Sequence, residues 1–266
     1  MRKSAYHLYR RLPLAIRDRL RWIRHPVNAL VTAAIYRAAR HTVVSGPFAG
    51  MVLSGDRPHL PYILGTQELE IHECIVKLVA LRFDKIVNVG AADGYYAVGM
   101  GVRCQSAAIE AFEADVSLHQ KLLAAATTNG VAARMKVLGR CSQSDLASAV
   151  SPGSLTLLIV DIEGGELDVL GAKSVEYLKD AFVLVETHDV LRPRCSETLS
   201  RLFSGTHAVE HYKTRTRTLG DMPVPIVRAM GRLLHAEVLG TMSEQRAGPQ
   251  EFLLMIPSSF TARNRW

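Results

Sequence analysis

With 266 residues, 48% of them hydrophobic, the chain can enclose one full α/β domain with additions but falls short of two separate cores. Its four cysteines, Cys74, Cys104, Cys141 and Cys195, contain no C-x-x-C pair and follow no secretory leader. That pattern indicates neither a disulfide framework nor a zinc site, and it fits a reducing, cytoplasmic setting. The net charge of +7 is concentrated in residues 1–40, where ten Lys or Arg face the single acid Asp18; the remaining 22 basic and 24 acidic residues leave −2, a poor match for a nucleic-acid-binding core.

At the start of the chain, Leu8, Leu12, Ile16, Leu20 and Ile23 recur at helical spacing, with Arg10, Arg11, Arg17, Arg19, Arg21 and Arg24 between them. A basic amphipathic helix is expected, suited to docking on the globular domain, to an anionic membrane surface or to nucleic acid. The apolar run Val27–Tyr36 ends at Arg37 and is too short for a bilayer, which takes roughly 20 residues. Residues 1–44 therefore read as a helical extension. Gly46, Pro47, Gly50, Gly55, Pro58 and Pro61 then mark an irregular connector with a short strand at Met51–Leu53. A helix follows over Gln67–Ala80, burying Leu69, Ile71, Ile75, Leu78 and Val79, so that residues 45–82 lead into the main domain.

Lys85 to Gly94, KIVNVGAADG, reads as a buried strand running into a glycine-bearing turn and a helix from Tyr95 to about Val102. Gly90 and Gly94 let the backbone approach a ligand, and the helix aims free N–H groups at it. Because the spacing is not G-x-G-x-x-G, a nicotinamide dinucleotide is disfavoured. Nineteen residues after Gly94, Glu113 ends a second strand, Ala107–Phe112, where a carboxylate can accept both hydroxyls of a ribose. An adenosine-bearing cofactor is the expected ligand.

The alternation continues with a helix over Val116–Asn129, a strand over Arg134–Leu138, a helix over Ser144–Val150 and a strand over Leu155–Asp161. Helical turns around Glu166–Leu170 and Ser174–Lys179 precede a strand at Phe182–Glu186, a helix at Ser196–Phe203 and strands at Ala208–Tyr212 and Phe252–Ile256. Repeated β–α units imply a parallel sheet covered by helices on both faces, with ligands at the carboxyl ends of its strands. Residues 83–257 form this domain, and residues 258–266 read as a tail. Residues 213–250 are an insertion, helix-like over Ile226–Leu239, whose Arg215, Arg217, Arg228 and Arg232 suit either a phosphate or sugar-nucleotide grip or a solvated face.

Taken in order, KIVNVGAADGYY, AAIEAFEAD, LLIVDIEGGELDVLGA and FVLVETHD resemble the successive motifs of S-adenosylmethionine-dependent methyltransferases of the FkbM-like group, over about residues 84–212. The resemblance implies a Rossmann-like methyltransferase fold, a mostly parallel seven-stranded sheet whose last strand is antiparallel. It implies S-adenosylmethionine as cofactor, held by Asn88, Gly90, Ala92, Asp93, Gly94, Glu113, Cys141 and Asp161. Asn88 stands where such enzymes usually carry an acid; it can accept a hydrogen bond but brings no charge.

Methyl transfer from a sulfonium is a direct displacement, so the protein gains mainly by aligning the acceptor and excluding water. A hydroxyl acceptor must also lose a proton. Asp161 and His188, at the ends of neighbouring strands, are the candidate catalytic residues, His188 as general base; a helix N-cap for the acid and a structural hydrogen bond for the histidine are the alternatives. Asp161, Glu186 and Asp189 could together bind Mg²⁺. The expected activity is O-methylation of a sugar, glycolipid or other small molecule. A non-catalytic binding or scaffold module, tethered to a membrane assembly by the basic extension, is the alternative.

Overall fold

The computed structural model describes residues 26–261 apart from 56, 151, 152 and 247; the amphipathic helix expected over Leu8–Ile23 lies outside the described residues, as do the last five of the tail. Seven strands make one sheet: β1 (Lys85–Val89), β2 (Ala108–Phe112), β3 (Met135–Leu138), β4 (Thr156–Val160), β5 (Phe182–Thr187), β6 (His207–Lys213) and β7 (Glu251–Pro257). Their order is β3-β2-β1-β4-β5-β7-β6. β1 runs parallel to β2 and β4, whereas β7 enters antiparallel between β5 and β6.

Sequence periodicity explains the layers. Along β1, Ile86 faces one apolar cluster and Val87 and Val89 face the other, so both sheet faces are covered; β4 and β5 are buried along their whole length. The chain winds from β1 toward β3, then returns to the other side of β1 for β4 and β5, which puts a crevice between the carboxyl ends of β1 and β4. Register makes those ends level: Val89 pairs with Phe112 on one side and Val160 on the other. Gly90, Glu113 and Asp161 therefore leave the sheet at the same height.

A third apolar cluster lies outside this sandwich. Helix α1 (Pro26–Ala39) buries Val31 and Ile35 against α2 (Leu60–Leu64) and against the insertion, through Met222, Val227, Val238 and Met242. The insertion carries two helices, α10 (Pro225–Met230) and α11 (His235–Gly240), rather than the one expected over Ile226–Leu239. They part at Gly231, where a side chain would come within 2.5 Å of Leu219. The helix expected from Gln67 becomes regular only at α3 (His72–Ala80), because Glu68 takes a left-handed conformation, φ 52°, that no helix can include. The described part of the tail forms a single helical turn, α12 (Ser258–Thr261), with Phe260 edge-on to Phe182 at 4.9 Å. Among the described residues no helix is long and apolar enough to cross a membrane.

Because Ile35 is fully buried, Ile35→Ala is expected to lower unfolding free energy by about 2–4 kcal/mol in urea denaturation. A loss under about 0.5 kcal/mol would mean that this helix is peripheral to the cooperative unit.

Candidate functional site

The turn after β1 is shaped by what it abuts. Gly90 has φ +85°, and a Cβ there would lie 1.7 Å from the Asp161 carbonyl oxygen, so only glycine lets the ends of β1 and β4 meet. Ala92 is also left-handed, φ 46°, a strained conformation for a residue with a Cβ, and its N–H donates to Glu113 Oε2 at 2.7 Å. Glu113 Oε1 accepts from the Asp115 N–H, also at 2.7 Å. The carboxylate at the tip of β2 thus faces the loop, and each oxygen keeps a second lone pair. Gly94 closes the turn and opens α4 (Tyr95–Arg103), packed so closely on Leu122 that a Cβ would approach it to 2.7 Å.

Three further sequence-predicted cofactor residues lie in this turn, on β1 and beyond β3. Asp93 is half-buried, and that burial raises its pKa. Asn88 is buried on β1; its Nδ2 donates to the Ile159 carbonyl at 3.4 Å while its Oδ1 has no partner among the described residues. Cys141, beyond β3, packs with Phe112 and Leu138, and burial pushes its thiol up to about 12.

On the other side of Asp161 opens a cavity of about 370 Å³ lined by Tyr62, Glu68, Asp161, Glu163, Glu186, His188, Glu244 and Arg246, among others. The segment after β4 shapes its floor. Glu163 and Gly164 are both left-handed, φ 51° and 95°, which folds the chain back so that Glu166, first residue of α7 (Glu166–Val169), is fully buried beneath them. Glu166 Oε1 accepts from Gly164 N–H at 2.9 Å and from His188 Nδ1 at 2.7 Å. His188, just past β5 and 2% exposed, points its Nε2 toward Asp161 Oδ1 at 3.7 Å and Glu163 Oε2 at 3.4 Å.

Electrostatics follow from this crowding. Burial alone would lower the His188 pKa, but the Glu166 hydrogen bond and the nearby Asp161 and Glu163 outweigh it, so the pKa is raised. Burial pushes Asp161 up to about 6 against the opposing pull of His188. Glu186 is driven up to about 10 by burial and by Asp161 and Glu68, with Arg246 only partly offsetting them. Burial also lifts Glu68 to about 7, against hydrogen bonds from Tyr96 and Gln67. The insertion supplies the countercharge: Arg246 reaches Glu186 at 2.5 Å, Glu244 at 2.6 Å and Glu68 at 3.6 Å, and Arg217 bridges Glu244 at 2.6 Å and Glu70 at 2.7 Å.

Strand-end reasoning located Asp161, Glu186 and His188, and the structure brings all three together, one ligating atom from each lying within 4.8 Å of the others. The expected metal set of Asp161, Glu186 and Asp189 needs correction in its third member. Asp189 turns away to accept from Ser196 N–H at 3.3 Å, at the start of α9 (Cys195–Phe203), and His188 takes its place. Glu68, Glu166, Glu244 and Arg246 escaped the sequence reading as site residues. Only Glu166 carried a signal, as the last acid of D-x-E-G-x-E. Three of the four insertion arginines singled out in the sequence are engaged within the fold: Arg215 pairs with Asp221 at 2.8 Å, Arg217 with the acids above, and Arg228 donates to the Met222 carbonyl at 2.7 Å.

No protein-family model matches the sequence, and no curated protein matches it. Solved structures do. The chain is similar to the METTL16 methyltransferase domain in a delta-N form, with TM-score 0.50 and 13% identity over 86% of this chain and 96% of that one. It is also similar to the N-terminal domain of human METTL16, with TM-score 0.49 and 13% identity over 87% and 83%. A further likeness is to the O-methyltransferase TomG from Streptomyces achromogenes, solved with SAM, with TM-score 0.45 and 12% identity over 86% and 88%. At such identities the likeness establishes the architecture: a Rossmann-like methyltransferase fold.

Glu166→Gln removes the buried charge that favours the His188 imidazolium. The His188 midpoint, followed by NMR titration, is expected to fall toward the ordinary imidazole value. A raised folded-state pKa stabilises the fold below about pH 6.5 and ceases to do so as pH rises through it, so the variant should lose more stability at acid than at alkaline pH. An unmoved midpoint would mean that Glu166 does not control this ring.

Proposed function

We propose that this chain is an S-adenosylmethionine-dependent methyltransferase that methylates a hydroxyl group on a small molecule, such as a sugar or glycolipid. The observation that carries the reading is the Glu113 carboxylate turned onto the glycine-bearing loop at the tip of the neighbouring strand. In that reading Glu113 accepts the ribose hydroxyls with its spare lone pairs, and Cys141 borders the adenine. The loop from Gly90 through Ala92 and Asp93 to Gly94, with Asn88 beneath it, holds the methionine end. Asp161 touches both halves of the site, since its backbone abuts Gly90 and its side chain lines the acid cavity. The acceptor then occupies that cavity, its hydroxyl against Asp161 and His188, which activate it for in-line attack on the methyl carbon. One S-adenosylmethionine and one alcohol give S-adenosylhomocysteine, the methyl ether and a proton.

Titration calorimetry with S-adenosylhomocysteine tests this directly. Saturable one-to-one binding is expected, weakened at least about tenfold in Glu113→Ala, the loss that goes with about 1.4 kcal/mol. Glu113 is a better probe than Gly90, where any side chain collides with backbone and the fold itself is at risk. No binding by the wild-type chain would sink the proposal and leave a non-catalytic α/β module.

A further inference from the structure

We propose that the outward face of α1, with the basic stretch that runs into it and the exposed side of the insertion, seats this protein on an anionic lipid surface, a role separate from methyl transfer.

Two opposite sides of α1 are apolar. One, formed by Val31, Ile35 and Ala39, is buried against α2 and the insertion. The other faces outward: Val27 is 37% exposed and Leu30 52%, and Ala33 and Ala38 are exposed with them. A helix on the surface of a water-soluble domain turns polar residues to the solvent, whereas one that is apolar all round is covered all round. The charges on the outward side are cationic, Arg37 within the helix and Arg40 just past it, and α1 contains no Asp or Glu. The insertion repeats the combination. Its helices α10 and α11 pack on α1, and they present Ile226, 66% exposed, and in the turn between them Arg232, exposed, and Leu233, 91% exposed.

Charge selects what covers this face. Residues 1–25, which lead directly into α1, hold eight Lys or Arg and one acid, Asp18, a net +7. Laid back over α1, that stretch would set its charge beside Arg37 and Arg40, and a second copy of the chain would bring the same like charges together. Nucleic acid matches the charge, but its phosphates offer nothing to Val27, Leu30 and Leu233. A bilayer rich in anionic lipid matches both, since its headgroups pair with arginine and its interface accepts apolar side chains. The sequence before α1 has the same two components, Leu8, Leu12, Ile16, Leu20 and Ile23 recurring at helical spacing among the arginines. The contact is with the bilayer surface; among the described residues no helix is long and apolar enough to cross it.

The test sediments the full chain with vesicles of phosphatidylcholine containing about one-third phosphatidylglycerol, and with vesicles of phosphatidylcholine alone. Saturable binding to the anionic vesicles is expected, at least about tenfold tighter than to the neutral ones and weakened by added salt. Two multiple variants, Val27→Gln with Leu30→Gln and Arg17→Gln with Arg21→Gln and Arg24→Gln, should each bind at least about fivefold more weakly. Val76→Gln, at an apolar position of α3 that is 58% exposed, should bind as the parent does. Thermal melting of every sample separates loss of the lipid contact from loss of fold. Failure of the folded parent to bind anionic vesicles, equal binding to both kinds, or undiminished binding by either multiple variant would each overturn the proposal. A dimer in light scattering that the Val27 and Leu30 variant dissociates, with no vesicle binding, would overturn it in favour of a second copy on this face.

Discussion

Everything at this site depends on one close approach, the backbone of Gly90 lying against the carbonyl of Asp161. A single added carbon at Gly90 would stand 1.7 Å from that oxygen. The contact lets two neighbouring parallel strands end together, with no side chain separating the turn after β1 from the acid after β4. Glu113 then reaches the same turn from the other side, because β2 is in level register with β1. A loop, a carboxylate that can hold diol hydroxyls and a second carboxylate facing a cavity are thereby gathered around one point by sheet geometry.

The cavity beside it is an electrostatic problem that the insertion relieves in part. Carboxylates at Glu68, Glu186 and Glu244 are buried, and burying charge without compensation costs several kcal/mol per ion. Arg246 and Arg217 supply part of the compensation, and both come from the segment between β6 and β7. The insertion is therefore bolted to the domain twice: by ion pairs at the cavity rim, and by the apolar cluster it shares with α1 and α2. A region of sequence that reads as an appendage becomes the wall of the site. The same logic accounts for α1, whose buried face is matched by the insertion rather than by the sheet.

Backbone strain collects at the same place. Glu68, Ala92 and Glu163 all adopt left-handed conformations despite carrying side chains, and each sits where a chain segment must turn sharply to present a group to the cleft. Such conformations persist only where surrounding contacts over-determine them. Here those contacts are the Glu113 bond to Ala92, the Glu244 bond to the Glu68 N–H, and Glu166 tucked under the turn that carries Glu163.

What the sequence determined by itself was the sheet. Strands and their partner helices are written in local patterns of apolar residues and in the glycines and acids that end them, and local patterns survive without knowledge of the rest of the chain. All seven strands were legible, as were the strand-end positions of Glu113, Asp161, Glu186 and His188; the antiparallel entry of β7 came from the family resemblance. Tertiary structure alone decided which of those end residues meet. Asp189 is adjacent to His188 in sequence, yet it is spent on the N-terminus of α9, while His188 turns inward onto Glu166. It alone revealed Arg246 and Glu68, 178 positions apart in the numbering, as partners across one cavity. A charge pair between distant segments leaves no periodicity or spacing to read, because it is created by folding and exists only once the intervening chain has been laid down.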